Sequence, residues 1–170
     1  MNWGEMLKSD IANGVGVRVS LFVSGCRHRC KGCFNEATWD FAYGEPFTEE
    51  TERRLFAAAA PAHVQGLSLL GGEPFEPENQ ETLAPLLERF RARFPEKDVW
   101  CYTGCVLESQ LKSPSPWRTP FTDRMLACID VLVDGPFVEA LKDISLKFRG
   151  SSNQRVLRLR NGEVRDILFA

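Results

Sequence analysis

The stretch Val17-Arg-Val-Ser-Leu-Phe-Val-Ser24 runs directly into Gly25-Cys26-Arg-His-Arg-Cys30-Lys-Gly-Cys33, and the reading of this join decides the fold. Val17, Val19, Leu21 and Val23 alternate with their neighbours, which is the period of a strand. The cysteines follow at once in a C-x3-C-x2-C spacing, so they occupy a loop leaving the strand's carboxyl end. Three thiolates within eight residues can hold three corners of a 4Fe–4S cube, which four cysteines normally complete. One iron is then left open, and an open metal position points to chemistry where a closed one points to structure.

Spacing alone leaves two other readings standing. Positions i, i+4 and i+7 also suit a buried helix stripe. Gly25 and Gly32 weigh against a helix, since an interior glycine costs about 1 kcal/mol, and polar residues fill every gap. A structural zinc site could take His28, His63 or Cys105 as a fourth ligand. Such sites usually bring a second cysteine knuckle, and none is clear here.

Outward from the join, strand and helix patterns alternate. Thr48 is a helix N-cap followed by Glu49 and Glu50, with the helix running to Ala60 before Pro61. Gly66 to Leu70 reads as a second strand stopped by Gly71-Gly72. Leu83, Leu86, Leu87, Phe90 and Phe94 mark one face of a second helix, capped near Asn79. A third strand spans Asp98 to Thr103, Ser113 to Pro116 is a loop, a short helix lies around Phe121 to Ala127, and a fourth strand covers Ile129 to Asp134. Arg155 to Arg160, then Asn161-Gly162, then Glu163 to Leu168 is a hairpin with a type I′ turn. The expectation is an α/β fold: a single domain over residues 1–170, a mainly parallel sheet forming a partial (β/α) barrel, and a C-terminal β-hairpin. A complete barrel needs roughly 250 residues, more than the 170 of this chain.

Composition narrows the function classes. The chain is 44% hydrophobic and 26% charged with a net charge of −2, so no broad basic footprint favours nucleic acid. No apolar run approaches a membrane span, and the first residues lack a signal peptide's apolar core. A cytoplasmic, reducing location is expected, where six cysteines point to metal binding rather than disulfides. Cys128 reads as a small buried hydrophobe. Cys101 and Cys105 form a pair around a strand end without an assigned role. In a parallel βα sheet, ligands sit at the carboxyl ends of the strands. Four glycine-bearing loops fall there: the cysteine run, Gly71-Gly72-Glu73-Pro74, Thr103-Gly104 and Asp134-Gly135.

On these motifs the chain resembles radical S-adenosylmethionine (SAM) enzymes, and among them the activating proteins of anaerobic, class III ribonucleotide reductase. The resemblance rests on Asp10-Ile-Ala-Asn-Gly-Val-Gly-Val-Arg18, Leu21 to Cys26, Cys30-Lys-Gly-Cys-Phe-Asn35 and Leu70-Gly-Gly-Glu-Pro74. It continues through Tyr102-Thr-Gly104, Val131 to Gly135 and Phe148-Arg-Gly-Ser-Ser-Asn-Gln154. Val15 stands where such proteins often carry proline, and Phe34 where many carry tyrosine.

The resemblance implies that Cys26, Cys30 and Cys33 ligate three irons of a 4Fe–4S cluster and that SAM chelates the fourth. It implies a SAM site at Gly71, Gly72, Glu73 and Pro74, with Thr103, Asp134, Ser151 and Asn153 as further contacts. An electron given to the cluster would cleave SAM to methionine and a 5′-deoxyadenosyl radical. That radical would take a hydrogen atom from a glycine of the reductase, the protein substrate. Reduced flavodoxin or a similar donor would supply the electron, docking on Arg27, Arg29 and Lys31. These cations would also favour the thiolates. No catalytic residue beyond the cofactors is expected, and His28 and His63 are read as surface or structural.

Overall fold

A computed structural model describes residues 1–169. Its eight strands form one sheet: β1 (Asn2–Asp10), β2 (Val17–Val23), β3 (Glu45–Pro46), β4 (Val64–Gly71), β5 (Asp98–Tyr102), β6 (Val131–Asp134), β7 (Arg155–Arg160) and β8 (Glu163–Leu168). They lie in the order β3-β1-β2-β4-β5-β6-β7-β8. Three helices connect the middle of the sheet: α1 (Glu49–Ala59), α2 (Pro77–Arg93) and α3 (Thr122–Cys128).

The sheet corrects the expectation of mainly parallel pairing. Only β2–β4, β4–β5 and β5–β6 run parallel. The pairs β1–β2, β1–β3, β6–β7 and β7–β8 are antiparallel. The physical reason is the connections. Each parallel pair is bridged by a helix-bearing crossover, whereas β1 to β2 and β7 to β8 turn back through short loops. Strand β1 has no clean alternation, carrying Gly4, Glu5 and Lys8 and two register shifts against β2. The βα pattern is confined to the centre.

Elsewhere local chemistry sets the elements as expected. Thr48 caps α1 through a reciprocal pair with Thr51. Asn161 and Gly162 both take positive φ, 53° and 75°, as a type I′ turn requires, and close the β7–β8 hairpin. Helix α2 starts at Pro77 with Glu76 in the cap position, three residues before the expected cap at Asn79; Pro77 suits a first turn because its missing N–H has no partner there anyway.

All three helices pack on one face of the sheet. Leu55, Leu83, Leu87 and Phe90 meet Val19, Leu21, Val23, Leu69 and Leu132 there, all fully or nearly fully buried. The other face holds a smaller cluster of Trp100, Val131, Val133 and Val156, covered by Phe148 and Phe169. Cys128, on α3, is buried in the main core as expected.

Arg18 on β2 is fully buried and ties the centre to the first loop. It donates to Ser68 Oγ at 2.8 Å, Val15 O at 3.1 Å and Leu67 O at 3.0 Å, and pairs with Asp98 at 2.6 Å. Ser68 in turn donates to Asn13 O at 2.6 Å. A buried cation with these partners is costly to remove, because it leaves acceptors unsatisfied. Arg18→Met is expected to lower the unfolding free energy by about 2–4 kcal/mol in urea denaturation; a loss within experimental error would show that Arg18 does not hold this region.

Candidate functional site

The cysteine loop is closed on itself. Gly25 N–H donates to Thr38 O at 2.7 Å and Cys26 N–H to Trp39 O at 3.2 Å, so residues 25 to 39 leave β2 and return to it. The Gly71-Gly72-Glu73 turn is sewn along the same strand end. Gly72 N–H donates to Val23 O at 2.7 Å and Glu73 N–H to Gly25 O at 2.8 Å. Gly71 has φ +109°, and a Cβ there would meet the backbone of Phe22 and Val23 at 2.7 Å, so only glycine brings the two loops this close.

Cys26, Cys30 and Cys33 line one cavity of about 450 Å³ together with Gly71, Gly72, Glu73 and Thr103. Its remaining walls are largely apolar: Trp39, Leu70, Val133, Phe137 and Phe148. Backbone N–H groups of His28 and Arg29 reach the Cys26 sulfur, and that of Phe137 reaches Cys30. Asn35 N–H lies 3.4 Å from Cys33 Sγ. Thiolates on a shared cluster want this kind of donor, so the loop fits the group its spacing suggests. Tyr102 also lines the cavity, and its hydroxyl is buried with no hydrogen-bond partner among the described residues.

Glu73 joins the loops. Its carboxylate, 1% exposed, accepts from Phe75 N–H at 2.9 Å, Thr103 Oγ1–H at 2.7 Å, Gly104 N–H at 2.8 Å and His28 Nε2–H at 2.9 Å. His28 is thus the structural histidine, largely buried and stacked flat on Trp117 at 4.9 Å, while His63 is exposed. Cys105 Sγ lies 3.6 Å from His28 Nε2. His28, Glu73 and Cys105 offer donor atoms within 4.8 Å of one another. Both Glu73 oxygens are already filled, so this trio acts as a latch in the fold.

Charge around the thiols differs from expectation. Burial, then the negative charge of Glu73, pushes the Cys26 thiol up to about 12. Burial raises Cys30 as well, with the Cys33 charge adding to it. The cations Arg27 and Lys31 do not offset this. Arg27 is held by Glu76 and Glu78 and lies over the Phe41 ring at 4.5 Å, and Lys31 pairs with Glu139 at 3.2 Å. The Cys26 and Cys30 thiols would therefore give up their protons to a bound metal, so that metal uptake releases protons.

The remaining sequence assignments fall off the cavity wall. Pro74 is buried beneath the turn. The Asp134 carboxylate accepts from Leu107 N–H at 2.9 Å and from Arg155 Nε–H at 2.9 Å, so it serves the chain's own donors. Ser151 Oγ accepts from Val138 N–H at 3.1 Å, and Asn153 Nδ2–H donates to Pro136 O at 2.8 Å. Their neighbours Gly135, Arg149, Gly150 and Gln154 reach the cavity instead. Tyr102 and His28 are the positions on this cavity whose place in the site spacing did not reveal.

A family described as a 4Fe-4S single cluster domain matches residues 12–157. Proteins from Salmonella typhimurium and Escherichia coli K12, each named anaerobic ribonucleoside-triphosphate reductase-activating protein, are 43% identical over 94% of this chain and 100% of their own length. One of the same name from Enterobacteria phage T4 is 40% identical over 92% of this chain and 93% of its own. The chain belongs to the anaerobic ribonucleoside-triphosphate reductase-activating proteins. The cluster in the description of the matching family settles the metal among the readings that spacing left open. In this reductase-activating family member, the three thiols and the Gly71-Gly72 turn share one cavity, and Glu73 fixes their relation.

The latch makes a testable pH dependence. Burial pulls the His28 pKa down, but the Glu73 hydrogen bond and charge, backed by Glu76, raise it above its ordinary 6.5 overall. A raised folded-state value means protonated His28 stabilises the fold. That contribution is complete below 6.5 and is lost as pH climbs through the folded value. The melting-temperature gap between the natural chain and His28→Gln should therefore shrink as pH rises from about 6. A gap that is flat or widening with pH contradicts the charged latch.

Proposed function

We propose that this chain activates an anaerobic ribonucleoside-triphosphate reductase by placing a radical on one of its glycines, using a 4Fe–4S cluster and SAM. The observation that carries this is the sharing of one cavity by Cys26, Cys30, Cys33 and the Gly71-Gly72 turn. The three cysteines hold three irons, and SAM takes the open one. When bound, cluster and SAM together supply a one-electron cleavage that ends in removal of a hydrogen atom from a glycine Cα.

The chain's own part is to bind, orient and keep dry. Gly71 and Gly72 let the backbone approach the methionine end of SAM closely. Glu73 keeps that turn against the cysteine loop through His28, and Thr103 and Gly104 bring the end of β5 to the same carboxylate. The unpartnered Tyr102 hydroxyl gives a polar ligand group a place to bond. Apolar walls at Leu70, Val133, Phe137 and Phe148 exclude water, which matters more than acid–base groups for a reactive radical.

Around this centre, residues 1–170 form one domain, with β2-β4-β5-β6 as the parallel arc of a partial barrel. Its place is the cytoplasm, where thiols stay reduced. No helix among the described residues is long and apolar enough to cross a membrane. An acidic reductant of the flavodoxin type docks on Arg29 and on Lys31, which is 91% exposed although it pairs with Glu139, since Arg27 is occupied by Glu76 and Glu78.

Reconstituted anaerobically, reduced, and mixed with SAM and the reductase, the protein should yield 5′-deoxyadenosine and a glycyl-radical EPR doublet. Deoxyadenosine without the doublet would remove the partner assignment, and absence of both would remove the radical SAM reading. Cys30→Ala should abolish both signals and lower bound iron. Reversing Arg29 and Lys31 to glutamate should slow reduction by flavodoxin several-fold at low salt; an unchanged rate would remove the docking site.

A further inference from the structure

Among the described residues, the three most exposed large apolar side chains lie at or beside one opening. Phe34 is 86% exposed and Ile144 is 95% exposed, and both line the cofactor cavity at its mouth. Ile11, 76% exposed, and Leu141, 44% exposed, adjoin Ala12 and Lys142, which line the same cavity. Single exposed apolar residues are ordinary, but a group rimming a functional opening marks a contact surface.

Ile144 is carried there by a built flap. Lys142 and Ser151 form an antiparallel bridge at its root. Asp143 N–H donates to Gly150 O at 3.2 Å and Ser152 N–H to Leu141 O at 2.9 Å. At the tip the Asp143 carboxylate accepts from Ser145 N–H at 2.8 Å and Ser145 Oγ–H at 2.7 Å. Phe148, at φ +58°, turns inward and packs edge-on against Trp100 at 5.1 Å. The flap half-buries Phe148, whereas its hydrogen-bonded tip holds Ile144 out in water. Nothing inside the fold gains from that.

We propose that Phe34 and Ile144 are the anchors of a docking surface for the glycine-bearing segment of the reductase, an extended stretch of small residues with apolar flanks. The proposal rests on the activase reading above. Size supports this occupant. A cavity of about 450 Å³ is that of one small-molecule site, so with cofactors inside it a protein substrate can reach it only as a thin segment. Glycine, lacking a side chain, presents its Cα with least obstruction. Flanking apolar side chains then cover Phe34 and Ile144 and seal the opening against water. Exposed Lys142 at the flap root has no ion pair among the described residues, so an acidic side chain beside the apolar flank adds to the fit.

Ile144→Ser tests this with little risk to folding, because the side chain is 95% exposed. Phe34→Ser is the second variant, and Val164→Ser, on β8, is a control distant in the sheet. The readouts, on the cluster-loaded protein, are the KM for the reductase in glycyl-radical formation, the reductase dissociation constant, SAM cleavage without reductase, and bound iron. Ile144→Ser should raise KM and the dissociation constant about tenfold, as loss of an interface anchor does. Its SAM cleavage and iron should match the natural chain, and the control should change nothing. An unchanged KM, or loss of SAM cleavage in Ile144→Ser, overturns the docking surface while the activase reading stands. Absence of the doublet with the natural chain overturns that reading, and this surface with it.

Discussion

A buried carboxylate must find donors or the fold loses several kcal/mol, and in this chain Glu73 finds four. They come from the cysteine loop, its own turn and the end of β5. None of these loops has helix or strand ladders to fix it, so their shared acceptor does so. Replacing Glu73 would leave His28, Thr103 and Gly104 without their partner, and the loop bearing Cys26 and Cys30 would keep only backbone ties to the Gly71-Gly72 turn. The cysteine loop and the Gly71-Gly72 turn are therefore held together by an acid on the wall of the cavity they share.

The same constraint explains why burial and charge make the Cys26 and Cys30 thiols resist ionisation. Glu73 is close enough to Cys26 to raise its thiol, and Arg27, the adjacent cation, is turned outward to Glu76 and Glu78. The backbone N–H groups of His28, Arg29, Asn35 and Phe137 support negative sulfur instead. Such donors do not add net charge, so they stabilise thiolates without attracting anions into the cavity.

Much of this was legible in the sequence, because local chemistry carried it. The alternating Val19, Leu21 and Val23, the cap at Thr48 and the Asn161-Gly162 turn all specify their elements within a few residues. Strand β1 was not legible: Gly4, Glu5 and Lys8 break its alternation, and only pairing with β2 makes it a strand. The three thiols were legible by spacing. The Glu73 latch was not, since its donors His28, Thr103 and Gly104 lie 30 or more positions away. The partners of Asp134 were hidden for a related reason, since Leu107 N–H and Arg155 lie 27 and 21 positions away from it.

The two ends of the sheet have a separate consequence. Strand β3 is two residues long and ends in Pro46, while β8 carries Glu163, Arg165 and Asp166. A strand that short, with a proline, offers almost no ladder to a neighbour, and charged side chains discourage stacking on the other border. An eight-stranded open sheet would otherwise invite copies of itself to add on, strand by strand. With both borders blunted, growth of the sheet by strand addition from a second copy is disfavoured.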